Sequence, residues 1–264
     1  LFNVKYNVLR RAYNNFKSID NASLKEEFNN FIKDSKEWLD DYSLYMAVKG
    51  KFNLVSWQEW DEDIKKREPK AMERYRQELA DEITFWSFIQ FIFFRQWNKL
   101  KDYANEKGIE IIGDMPIYVA EDSADVWSNP EAYLIDSDTL KPISVSGCPP
   151  DAFSETGQLW GNPLYDWNYM DKIGYKWWIK RVEESLKLYD VVRIDHFRGF
   201  ESYWEIPYGE ETAINGKWVK GPGIKLFNAI KKELGEINVI AEDLGFLTEE
   251  VKHFLEESKF PGMK

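Results

Sequence analysis

Cysteine and histidine are scarce in this chain. It contains one cysteine, Cys148, and two histidines, His196 and His253. A single cysteine cannot form an internal disulfide, and so few thiol and imidazole groups cannot build the nitrogen and sulfur ligand sets of zinc sites. We therefore expect neither a disulfide framework nor a bound metal ion.

Long hydrophobic runs are also missing. The most apolar stretch, FWSFIQFIFF at residues 85–94, is too short to cross a bilayer and is interrupted by Ser87 and Gln90. It is predicted to be a buried helix. No signal peptide is visible, which favours a cytoplasmic location, although the first residue is Leu1 rather than methionine.

Positive charge is in deficit. The chain has 35 lysines and arginines against 46 aspartates and glutamates, a formal net charge of -11. Nucleic acids and anionic membranes attract proteins with a positive field, so we expect neither as a partner. An uncharged substrate agrees better with this charge. The length of 264 residues and the 44% hydrophobic content are those of a globular protein with a substantial core.

The most informative segment is VVRIDHFRG, residues 191–199. It is a β-branched, apolar run in which Arg193 and Asp195 are two positions apart, so their side chains lie on the same side of a strand. The guanidinium favours an ionised, oriented carboxylate, as a nucleophile requires. A structural ion pair at a strand end is the simpler interpretation of an isolated Arg-x-Asp.

Two further segments argue against that simpler interpretation. GIEIIGDMPIYVA (108–120) and INVIAEDLGF (237–246) are also short apolar runs that end at a carboxylate, Asp114 and Glu242. Three such strands separated by helical stretches are typical of a parallel (β/α)8 TIM barrel, which collects its functional side chains at the C-terminal ends of its strands. We therefore predict an α/β fold that is part of such a barrel.

The remaining patterns predict the domain organisation. Residues 1–107 form a mostly helical subdomain, because apolar positions recur every three or four residues, and residues 108–264 form the partial barrel. Further helices are predicted at about 174–188, 223–235 and 248–258. Residues 121–175 lack a sustained period and are rich in aromatic and turn-forming residues, so we expect an irregular substrate loop over the barrel mouth.

Four strings carry a family resemblance: GDMPIYV, PPDAFSETGQLWGNPLYDW, VVRIDHFRG and IAEDLG. They resemble signature segments of the 4-alpha-glucanotransferases, also called amylomaltases or disproportionating enzymes, which form glycoside hydrolase family 77 in the alpha-amylase superfamily. The resemblance implies transfer of α-1,4-glucan segments between malto-oligosaccharides, with retention of configuration and without a cofactor. It also implies that Asp195 is the nucleophile and Glu242 the general acid/base.

The residues agree with that chemistry. Cleavage of a glycosidic bond needs one ionised carboxylate and one carboxylic acid, roughly 5 to 5.5 Å apart in retaining enzymes. Asp195, beside Arg193, is expected to stay ionised. Glu242 follows the nearly apolar sequence NVIA and is the candidate acid, because an apolar setting favours the protonated carboxyl.

Arg193 and several other residues are candidate sugar contacts. Asp114 either touches the reacting sugar or anchors a loop, and His196 could reach a sugar hydroxyl. The loop offers aromatic faces and hydrogen-bonding groups together, which suits a sugar, and ordinary loop packing is the alternative. Our choices in this loop are Asp151, Phe153, Gln158 and Trp160. Such a cover would keep water from the glycosyl intermediate and favour transfer over hydrolysis.

Two alternatives stay open: an α-glucan hydrolase of the same superfamily, and a catalytically silent glucan-binding fragment. The superfamily uses a third carboxylate, an aspartate directly after a histidine, and this chain contains no His-Asp pair. We expect an internal portion of a longer enzyme that is inactive by itself and tends to associate, because exposed strand edges and apolar faces need a cover. The sequence does not predict an oligomeric state.

Overall fold

The computed structural model of the protein describes residues 2–244 and 247–263. The chain divides into two units, residues 1–100 and 101–264. Within the described ranges, every strand belongs to the second unit, whereas the first unit is built from helices. No helix in these ranges is long and apolar enough to cross a bilayer.

The first unit contains helices that follow the predicted periodicity. They are α1 (Phe2–Ser18), α2 (Ala22–Asp34), α3 (Lys36–Lys51), α4 (Glu62–Lys65), α5 (Pro69–Glu78) and most of α6 (Ala80–Glu106). Asn21 caps α2 by accepting a hydrogen bond from the Leu24 N–H, and Pro69 opens α5, where its missing N–H costs nothing. Ser35 separates α2 from α3, and Leu79 separates α5 from α6.

An aromatic core joins α1, α2 and α6 of the first unit. Its buried members are Tyr13, Phe16, Phe28, Phe85, Phe88 and Phe91. Three of them come from the run at residues 85–94, so the prediction of a buried helix there is confirmed. Ser87 in the same run forms a buried hydrogen bond to Ser43, with 2.9 Å between the hydroxyl oxygens, which satisfies both groups.

The second unit contains all the described strands and the remaining helices. The strands are β1 (Ile112–Met115), β2 (Ser144–Cys148), β3 (Gln158–Pro163), β4 (Val191–Ile194), β5 (Ser202–Pro207), β6 (Lys217–Lys220) and β7 (Val239–Ala241). The helices are α7 (Ala124–Ser128), α8 (Trp167–Lys172), α9 (Lys176–Leu188), α10 (Ile224–Leu234) and α11 (Glu249–Ser258). The last three confirm the helices predicted near 174–188, 223–235 and 248–258.

The three strands predicted from the sequence form one parallel sheet in the order β1-β4-β7. One face is buried and carries Met115, Val192, Ile194, Val239 and Ala241, whereas the opposite face carries the partly exposed side chains of Asp114 and Arg193. Helix α9 packs on β1 and β4, and α10 packs on α9. The second unit is therefore mixed α/β, with helices covering one face of its parallel sheet.

The region predicted to be an irregular loop is more ordered than its sequence suggests. Residues 121–175 include α7, β2, β3 and α8, and the two strands join β5 and β6 in an antiparallel sheet of order β3-β2-β5-β6. The prediction of a continuous irregular loop was wrong here. These strands carry Gly147, Gly161 and Pro163, and the register shifts between Val145 and Gly147, so no alternation of apolar residues marks them.

Candidate active site

The carboxyl ends of the three parallel strands bring the charged residues of the sequence motifs together. Asp114 is the register partner of Arg193, and Ile194 is the partner of Ala241, so Asp195 and Glu242 are the next residues on neighbouring strands. The backbone ladder continues past the strands, because the Asp195 N–H donates to the Met115 carbonyl at 2.9 Å and the Glu242 N–H to the Ile194 carbonyl at 3.0 Å.

Arg193 is the centre of this cluster. Its Nη1 lies 2.5 Å from Asp114 Oδ1 and its Nη2 lies 2.9 Å from Asp195 Oδ1. Hydrogen bonding to Asp114 is the largest cause that raises the pKa of Arg193 above its usual value, and Asp195 adds to it. One planar guanidinium therefore fixes the orientation of both carboxylates. The predicted Arg193–Asp195 pair is present, and Asp114 extends it.

A third contact to Arg193 comes from the segment after α11. The Arg193 Nε–H points to the Met263 sulfur at 3.1 Å, and the Met263 N–H donates to Asp243 Oδ1 at 2.8 Å. Gly262 forms an isolated parallel bridge with Ala241. A side chain at Gly262 would collide with the Asp243 carboxylate, 2.1 Å from the place of a Cβ atom. Asp243 thus holds this segment beside β7.

Glu242 is held by backbone N–H groups. Its Oε2 accepts from the His196 N–H at 3.0 Å, and its Oε1 accepts from the Leu244 N–H at 2.6 Å. The apolar residues of the sequence NVIA lie on the strand that precedes Glu242, whereas the carboxyl group of Glu242 itself has polar partners. The backbone N–H of His196 thus connects the carboxyl group of Glu242 to the chain directly after Asp195.

His196 has an unusual backbone conformation and a lowered pKa. Its φ of 52° lies in the left-handed region, which is uncommon for residues other than glycine. A Cβ at Gly199 would lie 3.0 Å from the His196 ring, so a glycine permits this close approach. Burial, and then the positive charge of Arg198, lower the pKa of His196 to about 4, against an opposing effect of Asp195. The imidazole is therefore neutral at neutral pH and can offer one donor and one acceptor.

Strand β3 of the antiparallel sheet places Trp160 and Gln158 beside these groups. The Trp160 ring meets the His196 ring edge to face, with centroids 4.8 Å apart and planes at 90°. Its indole N–H donates to Gln158 Oε1 at 3.1 Å. The Trp160 side chain is still 37% exposed, so part of its surface is open to a ligand. Both residues are thus brought to the segment that carries Asp195.

Asp151 and Phe153 lie in a turn between β2 and β3. Asp151 Oδ1 accepts from the backbone N–H groups of Phe153 and Ser154, both at 2.8 Å, which stabilises the turn. Burial raises the pKa of Cys148 to about 11; the positive charge of Arg198 opposes this, and the negative charges of Asp151 and Glu242 add to it. Asp151 and Glu242 are therefore both within electrostatic range of one thiol. The Phe153 side chain is 99% exposed, so it packs against almost nothing.

The sequence did not indicate the residues that brace the segment after β1. Arg181 Nη2 donates to the Pro116 carbonyl at 2.6 Å, and its Nη1 donates to the Tyr165 hydroxyl at 2.9 Å. That hydroxyl in turn donates to the Ile117 carbonyl at 2.8 Å, and Asn162 Nδ2 donates to the Val119 carbonyl at 2.9 Å. Tyr165 and Asn162 lie inside a quoted motif, whereas Arg181 on α9 resembles an ordinary polar residue of an amphipathic helix.

The arrangement has the groups that glycosidic bond cleavage requires. The strand ends bring together two carboxylates, a neutral imidazole and an aromatic ring. Retaining glycosidases use such a carboxylate pair as nucleophile and acid. In residues 2–244 and 247–263, no group of three or more Asp, Glu, His and Cys side chains is arranged to hold a metal ion.

Comparison with known proteins gives consistent results. The sequence profile of the 4-alpha-glucanotransferases, glycoside hydrolase family 77, matches residues 1–264. A 4-alpha-glucanotransferase of Clostridium butyricum is 60% identical over 264 residues, which are 100% of this chain and 53% of the relative. One of Thermus thermophilus is 48% identical over the same number of residues and also 53% covered.

Solved structures agree with these relatives. An amylomaltase from Streptococcus agalactiae in complex with acarbose is 43% identical, has a TM-score of 0.95, and is matched over 100% of this chain and 53% of its own. An amylomaltase from Corynebacterium glutamicum is 20% identical with a TM-score of 0.77, over 98% of this chain and 34% of its own, so it supports the fold alone. The chain spans about half the length of the curated relatives it matches, 53% in the first case.

Proposed function

The chain belongs to the 4-alpha-glucanotransferase family, and from this premise we propose that the protein transfers α-1,4-glucan segments between malto-oligosaccharides with retention of configuration. The observation that carries the proposal is the pair of strand-end carboxylates. Arg193 Nη2 lies 2.9 Å from Asp195 Oδ1 and fixes it. The backbone N–H of His196, the residue after Asp195, donates to Glu242 Oε2 at 3.0 Å.

In this proposal Asp195 is the nucleophile and Glu242 the general acid/base. The Asp195 carboxylate forms a bond to the anomeric carbon while Glu242 donates its proton to the departing glycosidic oxygen, which leaves with the electron pair of the broken bond. A 4-hydroxyl of a second glucan then attacks the same carbon, gives its proton to Glu242 and releases Asp195. Retention requires the two carboxyl groups to lie roughly 5 to 5.5 Å apart.

The remaining predicted contacts bind sugar in this proposal. Trp160 and Gln158 are supported by their place beside His196, and Asp114 by its bond to the guanidinium that holds Asp195. Asp151 also stabilises its turn, and Phe153 would contact a glucan only at the solvent edge of the site. Aromatic cover over the glycosyl intermediate excludes water, which favours transfer to a sugar over hydrolysis.

We also propose that the parallel sheet is part of a (β/α)8 TIM barrel. The backbone at Ala241 supports this, because its N–H donates to the Pro261 carbonyl at 2.9 Å and it bridges Gly262 in the parallel direction. A further parallel segment thus lies next to β7, on the edge that β4 does not occupy. The division into a helical subdomain and a partial barrel, with a boundary near residue 107, remains part of the same proposal.

The test is the product pattern of the full-length natural protein incubated with maltotriose. We expect a ladder of longer and shorter malto-oligosaccharides together with glucose, without a matching rise in total reducing ends. The Asp195→Asn variant should lose the ladder, and Asp138→Asn, in an exposed turn, should keep it. A stoichiometric rise in reducing ends would indicate the hydrolase, and saturable binding without products would indicate the silent binding fragment.

A further inference from the structure

A cleft outside the candidate active site is lined in part by residues that lie near Asp195 and Glu242 in the sequence. It has a volume of about 250 Å³, and its wall includes Arg198, Glu201, Trp218, Lys220, Thr248 and Glu250. Arg198 is three residues after Asp195, in the helical turn Phe197–Phe200 that begins after His196. Thr248 is the N-cap of α11, the helix that follows Glu242 in the chain. We call this feature the Trp218 cleft.

Trp218 is held by its neighbours and still open to solvent. On β6 it is the register partner of Trp204 on β5, and the two rings meet with centroids 5.3 Å apart at 70°. Trp204 is fixed by a hydrogen bond from its indole N–H to the Ala213 carbonyl at 2.8 Å. The Arg198 guanidinium carbon lies 4.2 Å from the centroid of the Trp218 ring. The side chain of Trp218 is nevertheless 45% exposed, which leaves aromatic surface for a ligand.

The charges around the cleft compensate one another. Arg198 and Lys220 carry positive charge, Glu201 and Glu250 negative charge, and Lys220 forms an ion pair with Glu201. Hydrogen bonds from its own backbone N–H and from Thr248 lower the pKa of Glu250, and the charge of Lys220 adds a smaller effect, so Glu250 is ionised. With two charges of each sign, the cleft has no excess that would select an anion or a cation.

The chemistry of the cleft is therefore that of a site for a neutral, polyhydroxylated ligand. Sugar rings place C–H groups against aromatic surfaces, and their hydroxyls exchange hydrogen bonds with charged and hydroxyl side chains of the kind found here. We propose that the Trp218 cleft is a binding subsite for a glucan chain, occupied by sugar units remote from the bond that is cleaved. This inference rests on the proposed function, since it assigns an additional contact for the same substrate class.

The experiment compares short and long substrates in the full-length natural protein. The Trp218→Leu variant keeps apolar bulk on β6 but removes the ring. We expect KM for maltoheptaose to rise about 3- to 10-fold, as the loss of one aromatic contact would produce. KM for maltotriose, and kcat for both sugars, should stay within about twofold. Tyr103→Leu is the matched control, since Tyr103 is 60% exposed and does not line the cleft.

Two further variants keep the test decisive if Trp218→Leu fails to fold. Trp218→Phe retains a ring and should keep KM for maltoheptaose within about twofold of the native value. Ser202→Phe adds bulk to the cleft wall without removing a ring, and should raise KM for maltoheptaose but not for maltotriose.

Several outcomes would overturn the inference. These are an unchanged KM for maltoheptaose in folded Trp218→Leu and Ser202→Phe, an equal rise for both sugars, or a fall in kcat, because each removes the link to a remote subsite. They differ from a failure of the proposed function, in which the native protein itself would convert neither sugar.

Discussion

The two sheets of the second unit contribute different kinds of side chain to the candidate site. The parallel sheet supplies charge: Asp114 and Arg193 lie in β1 and β4, and Asp195 and Glu242 directly follow β4 and β7. The antiparallel sheet supplies the uncharged Gln158 and Trp160 to this site, and it supplies Trp218 to the separate Trp218 cleft. The groups proposed to react therefore lie at the ends of the parallel strands, and the groups suited to hold a sugar lie on the antiparallel strands.

The difference follows from the geometry of the sheets. Parallel strands end at one common edge, so residues that follow different strands meet there without any loop having to place them. Backbone N–H groups and one guanidinium can then fix the carboxylates. Antiparallel strands can leave a face open to water, and Trp160 on one face of this sheet and Trp218 on the other provide contact area for a ligand. Changes in the first sheet should therefore affect kcat, and changes in the second should affect KM or the choice of acceptor.

The largest effect of the charged sheet is expected from Glu242→Gln. Loss of proton donation should lower kcat with maltotriose by about 10²–10⁴-fold. A glucosyl fluoride donor should be affected much less in its first step, because fluoride leaves without a proton. Glu249→Gln on α11 is the matched control, since its side chain is 86% exposed. Steady-state and burst kinetics of the two donors measure this, and equal losses for both would argue against Glu242 as the acid.

Arg193→Lys tests whether one planar group must hold both carboxylates. Lysine offers a single ammonium and cannot reproduce the contacts to Asp114 and Asp195 together. We expect kcat to fall about 10- to 100-fold, as for the loss of a hydrogen bond to a charged group worth about 1.5–3 kcal/mol. Arg95→Lys, in a helix-surface pair with Glu27, should leave kcat unchanged. A kcat within twofold of native in Arg193→Lys would show that the planar guanidinium is not needed to hold the two carboxylates.

On the aromatic sheet, Trp160→Leu should change the choice of acceptor. Losing the ring removes contacts to the incoming sugar and admits water, so we expect the ratio of hydrolysis to transfer to rise about two- to tenfold. Phe153→Leu should raise it less, because the Phe153 ring stands in solvent at 99% exposure. Product analysis by chromatography gives the ratio. An unchanged ratio in both variants would show that neither ring contacts the acceptor or excludes water.

His196 joins the two sheets, and its titration should appear in stability. The folded pKa of about 4 lies below the usual 6.5, so between these values the unfolded chain binds a proton that the folded chain does not. The free energy of unfolding should therefore fall as the pH decreases through this window. The expected loss is about 2 kcal/mol at pH 5, and this loss is absent above pH 6.5. Chemical denaturation at pH 5 and pH 7.5 measures the difference.

The other histidine of the chain provides the control for that measurement. His196→Asn should reduce the loss of stability between pH 7.5 and pH 5, whereas His253→Asn, at an exposed position of α11, should leave the loss as in the native protein. Equal pH dependence in all three proteins would contradict the lowered pKa of His196, because the ring would then be protonated at pH 5 in the folded protein as in the unfolded chain.

Part of this division could be predicted from the sequence. The strands ending at Asp114, Asp195 and Glu242 are each a short apolar run before an acid, and the pattern is local, so both their strand character and their meeting at one edge were predictable. The pairing of Arg193 with Asp195 follows from their spacing of two. The additional bond of Arg193 to Asp114 depends on the register of β1 against β4, which spacing within one strand does not contain.

The aromatic sheet could not be predicted in the same way. β2 and β3 have glycines and a register shift in place of alternation, and they are strands because distant β5 pairs with β2. The hydrogen bonds to Glu242 come from backbone groups, which any residue type would supply, so side-chain identities gave no signal of them. Long-range pairing and backbone donors are the parts of this site that local pattern leaves open.

Trapping the glycosyl intermediate tests directly whether Asp195 is the nucleophile. The full-length natural protein is treated with a fluorinated glucosyl donor, digested, and examined by mass spectrometry. The added glycosyl mass is expected on the peptide that contains Asp195, and it should be absent in Asp195→Asn. A label on the peptide with Glu242, or efficient transfer by Asp195→Asn, would contradict the assignment of Asp195 as the nucleophile.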